Sequence, residues 1–246
     1  MFLTRWVLRL IAANVIVFLL QQARPVITEA FALVPLDVVN RPWTLLTYMF
    51  LHANTSHILF NMLGLFFFGP RLELELGGRN FLALYFVSGL IAALVSFLTP
   101  ETMIIGASGA IYGVFMGFAY YWPRENVYIW GILPVQARIM VVIMTALSLY
   151  GGLGFGMDNI AHFAHLGGFL GGYLFLKFLD RKEKVVEQIV SILPPVDPQK
   201  WKSIDRNKLH EVNRAEYDRI LEKINTAGVG SLTAGEREFL ERFSST

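Results

Sequence analysis

Residues 106–124 read Gly-Ala-Ser-Gly-Ala-Ile-Tyr-Gly-Val-Phe-Met-Gly-Phe-Ala-Tyr-Tyr-Trp-Pro-Arg. From Ser108 to Tyr121 this is a run of fourteen residues without a charge. As an α-helix at about 1.5 Å per residue it reaches only about 21 Å, short of the roughly 30 Å of hydrocarbon in a bilayer. One end must therefore stop inside. The Trp122-Pro123-Arg124 end has interfacial residues, so the short end is Gly106-Ala107-Ser108-Gly109. A helix start carries unpaired N–H groups, which are tolerated at that depth only within protein or facing a water-filled cavity. The stretch predicts a submerged wet pocket with a serine at its edge.

The rest of the chain agrees with a membrane setting. Of its 246 residues 54% are hydrophobic and 16% charged, with a mean hydropathy of +0.50, whereas soluble domains carry about 25% charged residues. Residues 180–246 hold 24 of the 40 Asp, Glu, Lys and Arg, twelve of each sign, and residues 1–179 hold 16. A hydrophobic body thus carries a charge-neutral hydrophilic tail. The net charge of +2 gives no reason to expect nucleic acid. Zero Cys excludes disulfides, thiolate nucleophiles and Cys-ligated metals, which leaves oxygen and imidazole to do any chemistry.

Six candidate spans appear: Trp6 to about Gln21, about Ser56 to Phe68, Phe81 to Leu98, Ser108 to Tyr121, Pro134 to Tyr150, and Asn159 to Leu179. The first has no small-residue cleavage site and reads as a retained span, not a signal peptide. A loop with Pro25, Pro35 and Pro42 follows it and closes on an aromatic stretch, Trp43 to His52, expected at the interface. With the N-terminus in the cytoplasm, the inner flanks receive Arg5, Arg9, Arg71, Arg79, Arg124, Arg138 and Lys177, and the outer ones only Arg24 and Arg41. The positive-inside bias then sets both termini in the cytoplasm.

Four of the five histidines, His52, His57, His162 and His165, fall in or beside apolar spans, where ionisable groups mark function by default. His57 and Asn61 are i, i+4 on the second span, and Ser108 and Tyr112 are i, i+4 on the fourth, so each pair shares a helix face. His165, Gly168 and Gly172 on the sixth span, with Gly109, Gly113 and Gly117 on the fourth, give two small-residue faces that can approach closely. That approach would bring Ser108 within reach of His165. A serine hydroxyl needs a base, and a neutral imidazole is suited to that role. The only acid near these spans is Asp158, at the outer end of the sixth, so a dyad is expected in place of a triad. Tyr112 could hold the ring by stacking, while His57, Asn61 and the Ser108 backbone N–H could donate to an oxyanion. A metal reading on His162 and His165 lacks His-Glu-x-x-His and an adjacent acid. A small membrane transporter would use polar residues at depth as well, but the chain shows no obvious internal repeat or acidic row.

On Gly106-Ala107-Ser108-Gly109, on Ala164-His165 followed by Gly168 and Gly172, and on His57 with Asn61, the chain resembles the rhomboid family of intramembrane serine proteases over about residues 5–179. The resemblance implies an all-α, six-transmembrane-helix bundle. It implies Ser108 as nucleophile, His165 as general base, His57 and Asn61 as oxyanion donors and Tyr112 as the ring packed on the base. No metal or cofactor is implied, and the expected partners are transmembrane protein substrates and the lipid bilayer. His162 matches no catalytic position and is expected to be structural. Where rhomboids often carry Trp-Arg in the first outer loop, this chain has Trp43-Thr44, with Arg41 two residues before the tryptophan. A catalytically silent, client-binding relative is the competing class; the intact Ser108 and His165 argue against it.

The expected organisation is a membrane domain at 1–179, a linker at 180–210 containing Pro194-Pro195-Val196-Asp197-Pro198, and a small cytoplasmic helical hairpin or partly disordered tail at 211–246. In the tail, Tyr217, Ile220, Leu221 and Ile224 recur at helical spacing and stop before Gly228. Thr233-Ala234-Gly235-Glu236 has the form of a capping box opening a helix with Phe239, Leu240 and Phe243. This arrangement resembles extensions appended to some bacterial rhomboids, which implies a bacterial cytoplasmic (inner) membrane. A cytoplasmic partner for the tail is an expectation without a motif.

Overall fold

A computed structural model describes residues 3–129, 131–155, 161–192 and 204–244. By contacts the chain divides into residues 1–183 and 184–246. The first unit is organised around two helices: α4 (Thr55–Val95) and α5 (Ser108–Tyr121), the fourteen-residue run above. The Asn54 side chain accepts the His57 N–H at 2.9 Å and starts α4. At Gly77 the backbone leaves the helix with φ 72°, ψ 154°, a conformation that a Cβ would penalise, and the chain doubles back. The pairing along α5 demonstrates the reversal. A Cβ on Gly117 would lie 2.7 Å from Leu72 and 3.1 Å from Leu84, so both arms of α4 meet the same point of α5. Before Gly77 the contacts climb α5, from Gly64 against Ile111 to Leu72 against Gly117; after it they descend, through Ser88 against Gly113 to Ala92 against Gly109. The second and third expected spans are therefore the antiparallel arms of one broken helix.

Before α4 lie α1 (Arg5–Ala23), α2 (Val26–Phe31) and α3 (Thr44–Thr47). Nothing at Thr4 caps α1 from within; Glu73 on α4 does so, accepting from Trp6 N at 3.1 Å and Val7 N at 3.0 Å. A buried carboxylate at a helix N-terminus meets both the free N–H groups and the dipole. The proline loop is cross-tied to α2: Arg41 pairs with Asp37 at 2.5 Å and donates to Glu29 O, Trp43 Nε1 donates to Ala30 O at 3.0 Å, and Thr47 Oγ1 to Phe31 O at 2.9 Å. Thr44 is buried, its hydroxyl donating to Arg41 O at 2.7 Å. Within the stretch Trp43 to His52, Trp43 is half-exposed. Tyr48, Met49, Leu51 and His52 turn into the core.

After α5 the all-helical expectation needs an amendment. Residues Asn126–Ile129 (β1) and Leu133–Gln136 (β2) pair antiparallel, with Val127 opposite Val135. Pro134, expected to open the fifth span, sits in this hairpin, which suits a residue without an N–H to continue a helix. The helix α6 (Ala137–Tyr150) starts three residues later and continues as a wider turn over Gly151–Phe155. The last helix of this region, α7 (His162–Ile192), begins after the expected Asn159, which lies outside the described residues with Asp158. It does not stop at Leu179. Asp180 accepts from the Tyr120 hydroxyl, and Lys177 lies over the Tyr120 and Tyr173 rings at 5.4 and 5.7 Å. The expected linker thus opens as helix, while Pro194 to Pro198 lie outside the described residues. Among the described residues three segments are long and apolar enough to cross a membrane: Arg5–Ala23, Thr55–Leu98 and Ala137–Phe155.

The second unit holds α8 (Glu211–Ala227) and α9 (Ala234–Ser244), with Gly228 at φ 76° between them. Ile204, Leu209, Tyr217, Ile220, Leu232 and Leu240 form its core. The capping box is reciprocal: Thr233 N donates to Glu236 Oε2 at 2.8 Å and Glu236 N to Thr233 Oγ1 at 3.3 Å. Arg219 and Lys223 pair with the same carboxylate at 2.9 and 2.8 Å.

Candidate active site

The approach to α5 is held by backbone bonds. Leu33 and Ile104 exchange N–H···O bonds at 3.1 and 2.7 Å, and Gly106 N donates to Tyr48 O at 2.9 Å. Gly106 has φ +123°, and a Cβ there would stand 2.7 Å from His57 Cε1 and Nε2. A glycine is needed twice over, for the backbone and for the imidazole lying on it. Two residues later Ser108 opens α5, its hydroxyl at the start of the helix.

Across from it, α7 meets α5 backbone to backbone. A Cβ on Gly168 would fall 2.0 Å from Gly109 O, and one on Gly172 would fall 2.8 Å from Gly113 Cα. The close approach brings His165 Nε2 to 2.8 Å from Ser108 Oγ. The Tyr112 ring stacks on His165 at 4.1 Å and 17°, and Phe169 packs against that tyrosine with centroids 4.6 Å apart. The imidazole thus lies against a flat aromatic face that fixes the plane of its ring.

On the opposite wall Ala53 N donates to His57 Nδ1 at 3.3 Å. In a neutral ring this puts the proton on Nε2, so His57 offers an N–H donor on the atom that lies by Gly106. Asn61 Nδ2 donates to His57 O at 2.8 Å and has a second N–H left. A cavity of about 610 Å³ joins the groups: His57, Asn61, Ser108, Tyr112 and His165 all line it. All five residues singled out in the sequence are thus in one place.

Two residues escaped the sequence reading. His52 was noted only as one of four histidines; it is buried with its ring edge-on to His57 at 5.0 Å, and the Gln21 side chain accepts its backbone N–H at 2.9 Å. Glu73 is the second. Its neighbour Leu72 faces Gly117, nine residues or about 13 Å along α5 from Ser108, so it anchors α1 and does not serve the site. His162 lies over Gly151, where a Cβ would be 2.1 Å from its Nε2, with its ring 6.4 Å from that of His165. Among the described residues no group of three His, Asp or Glu is gathered as metal ligands would be.

Comparison with known proteins gives this geometry a lineage. Residues 39–182 match the family model of the Rhomboid domain. The chain belongs to the rhomboid family. It is similar to the putative rhomboid protease YdcA of Bacillus subtilis (strain 168), 36% identical over 144 residues, 58% of this chain and 69% of that protein. RHOMBOID-like protein 2 of Arabidopsis thaliana is 35% identical over 135 residues, 54% of this chain and 41% of its own. The rhomboid protease GluP of Bacillus subtilis (strain 168) is 34% identical over 131 residues, 53% of this chain and 25% of its own. The chain spans about two thirds of the first and less than half of the other two. Residues 203–246 match a second model, described as a family of unknown function. This rhomboid is an integral membrane protein, mostly helical, with its conserved-family match confined to the unit that holds the cavity.

Proposed function

We propose that this rhomboid is an intramembrane serine endopeptidase that cleaves a peptide bond in or near a substrate's own transmembrane segment. The observation that carries the reading is the 2.8 Å contact between His165 Nε2 and Ser108 Oγ beside a cavity. The names of the relatives, one a rhomboid protease and one a putative rhomboid protease, support it.

The chemistry is acyl transfer. Ser108 Oγ attacks the scissile carbonyl as His165 Nε2 takes its proton; the tetrahedral oxyanion is met by His57 Nε2–H, the Asn61 amide and the Ser108 N–H. Collapse expels the amine, which receives the proton from His165. Water, activated by the same imidazole, then releases the acyl group. Tyr112 keeps the ring in plane. Oxygen, imidazole and backbone fill each role, so the mechanism calls for no metal or cofactor.

Six crossings follow if each arm of α4 crosses once and α5 and α7 complete the bundle, with both termini in the cytoplasm by the Lys and Arg bias. The membrane domain is then 1–179, the joining segment 180–210 and the cytoplasmic tail 211–246. Substrate enters laterally with its helix locally unwound, and water comes from the outer face. The test is cleavage of a model transmembrane substrate by purified protein with and without EDTA or phenanthroline. Activity should be unchanged by the chelator; loss that zinc restores would overturn the serine mechanism.

A further inference from the structure

The hairpin between α5 and α6 is built in a way the protease reading does not use. Residues 126–136, Asn-Val-Tyr-Ile-Trp-Gly-Ile-Leu-Pro-Val-Gln, contain no charge, although Arg124, Glu125 and Arg138 stand at their edges. The inner face, Val127 and Val135, packs with Trp122, Phe118 and Ala137. Its base is clamped to the helix ends by Ala137 N donating to Glu125 O at 2.8 Å and Arg138 N to Pro123 O at 3.1 Å. The far end is apolar and open: Ile132 is 83% exposed, Tyr128 61% and Leu133 59%. An exposed hairpin end in water is ordinarily polar, with turn residues such as Asn, Asp and Gly.

The level of the hairpin's base can be read from its surroundings. Arg71 lies 4.1 Å over the Trp122 ring and 3.4 Å from Glu125, and Lys177 lies over Tyr120. Tryptophan and tyrosine beside basic side chains mark the boundary between hydrocarbon and headgroups. The hairpin therefore leaves the bundle at that boundary. Each four-residue strand reaches about 13 Å, enough to lay the tip beside the bundle.

We propose that the β1–β2 hairpin is a membrane foot, with Tyr128, Ile132 and Leu133 inserted at the headgroup–acyl boundary of the leaflet where α5 ends and α6 begins. The occupant of its apolar end is lipid. The tip is uncharged, and exposed Arg124 and Arg138 at the hairpin's edges match anionic headgroups. The foot holds the start of α6 at a set depth through the two backbone bonds at its base. The inference rests on the membrane setting and not on the protease reading, and its test needs no activity.

The chain has no cysteine, so Ile132→Cys, Leu133→Cys and Asn126→Cys each provide a single labelling site in the full-length protein. With a nitroxide attached and the protein in vesicles of phosphatidylcholine and phosphatidylglycerol, power saturation compares collision with oxygen and with a water-soluble nickel chelate. At 132 and 133 oxygen should prevail, at a depth of about 5–10 Å below the headgroup surface, and at 126 the nickel complex should prevail. Nickel prevailing at both 132 and 133 would place the tip in water and overturn the proposal. Shielding from both reagents would overturn it too, because protein and not lipid would then cover the tip.

Discussion

In the proposed mechanism Ser108 and His165 work only as a pair, because the hydroxyl is a poor nucleophile until the imidazole at 2.8 Å takes its proton. Ser108→Ala and His165→Ala should each abolish cleavage of a model transmembrane substrate with the fold retained, since residues that act as a unit fail together. His162→Ala should keep measurable turnover, as its ring packs on Gly151; a variant as dead as His165→Ala would make the base assignment unsafe. Asn61→Ala should lower turnover by about 10- to 1,000-fold, the loss of one oxyanion donor softened by the two that remain. An interhelical tie alone would be worth about 0.6 kcal/mol and would move the melting temperature while leaving turnover of the folded fraction at the wild-type value. The five site residues were legible in the sequence because polar groups are expensive at depth and their i, i+4 spacing is a helical fact. The ring orientation of His57 was not, because it depends on an N–H from Ala53, across a turn whose geometry spacing does not encode.

At the scale of elements, the Ser108–His165 contact exists because α5 and α7 touch through glycine. Gly168→Ala would press a methyl to 2.0 Å of Gly109 O, and backbone cannot yield as a side-chain end can. The variant should lose most activity and melt at a lower temperature, overpacking of this kind costing typically about 1–3 kcal/mol. Gly230→Ala, where nothing lies within 4 Å of the added Cβ, should do neither; equal loss in both would remove the helix-contact explanation. The short α5 was legible from its length alone, and the glycine rows from their spacing. The reversal was legible in the charged stretch Arg71 to Asn80 between the second and third spans, but its place at Gly77 was not, since spacing does not say which of Gly77 and Gly78 takes the positive φ. The β hairpin was missed for a related reason: its run of four apolar residues, Val127 to Trp130, is too short for periodicity to separate strand from helix.

For the whole molecule, the question is what the residues beyond the rhomboid match contribute. A chain ended after Ile192 should cleave a substrate in detergent at close to the full-length rate, because every residue assigned to the chemistry precedes it; a folded but inactive truncation would show coupling to the site. In the second unit, Lys223, the Thr233 N–H and Arg219 hold the Glu236 carboxyl down at about 2. A depressed carboxylate stabilises the fold above its unfolded value near 4.3 and loses that contribution as the pH falls toward 2. Amide protection of α8 and α9, corrected for intrinsic exchange, should therefore drop between pH 5 and 3 in the wild type, and drop less in Glu236→Ala. The capping box that places Glu236 was plain in the sequence, whereas Arg219 and Lys223 reach it only because α8 packs on α9. The central claim is that Ser108 is an activated nucleophile. It is tested most directly by treating the detergent-solubilised protein with a fluorophosphonate probe and locating the adduct by mass spectrometry. The account predicts one adduct, on Ser108, absent in His165→Ala; a wild-type protein that remains unlabelled, or is labelled on another residue, would contradict it.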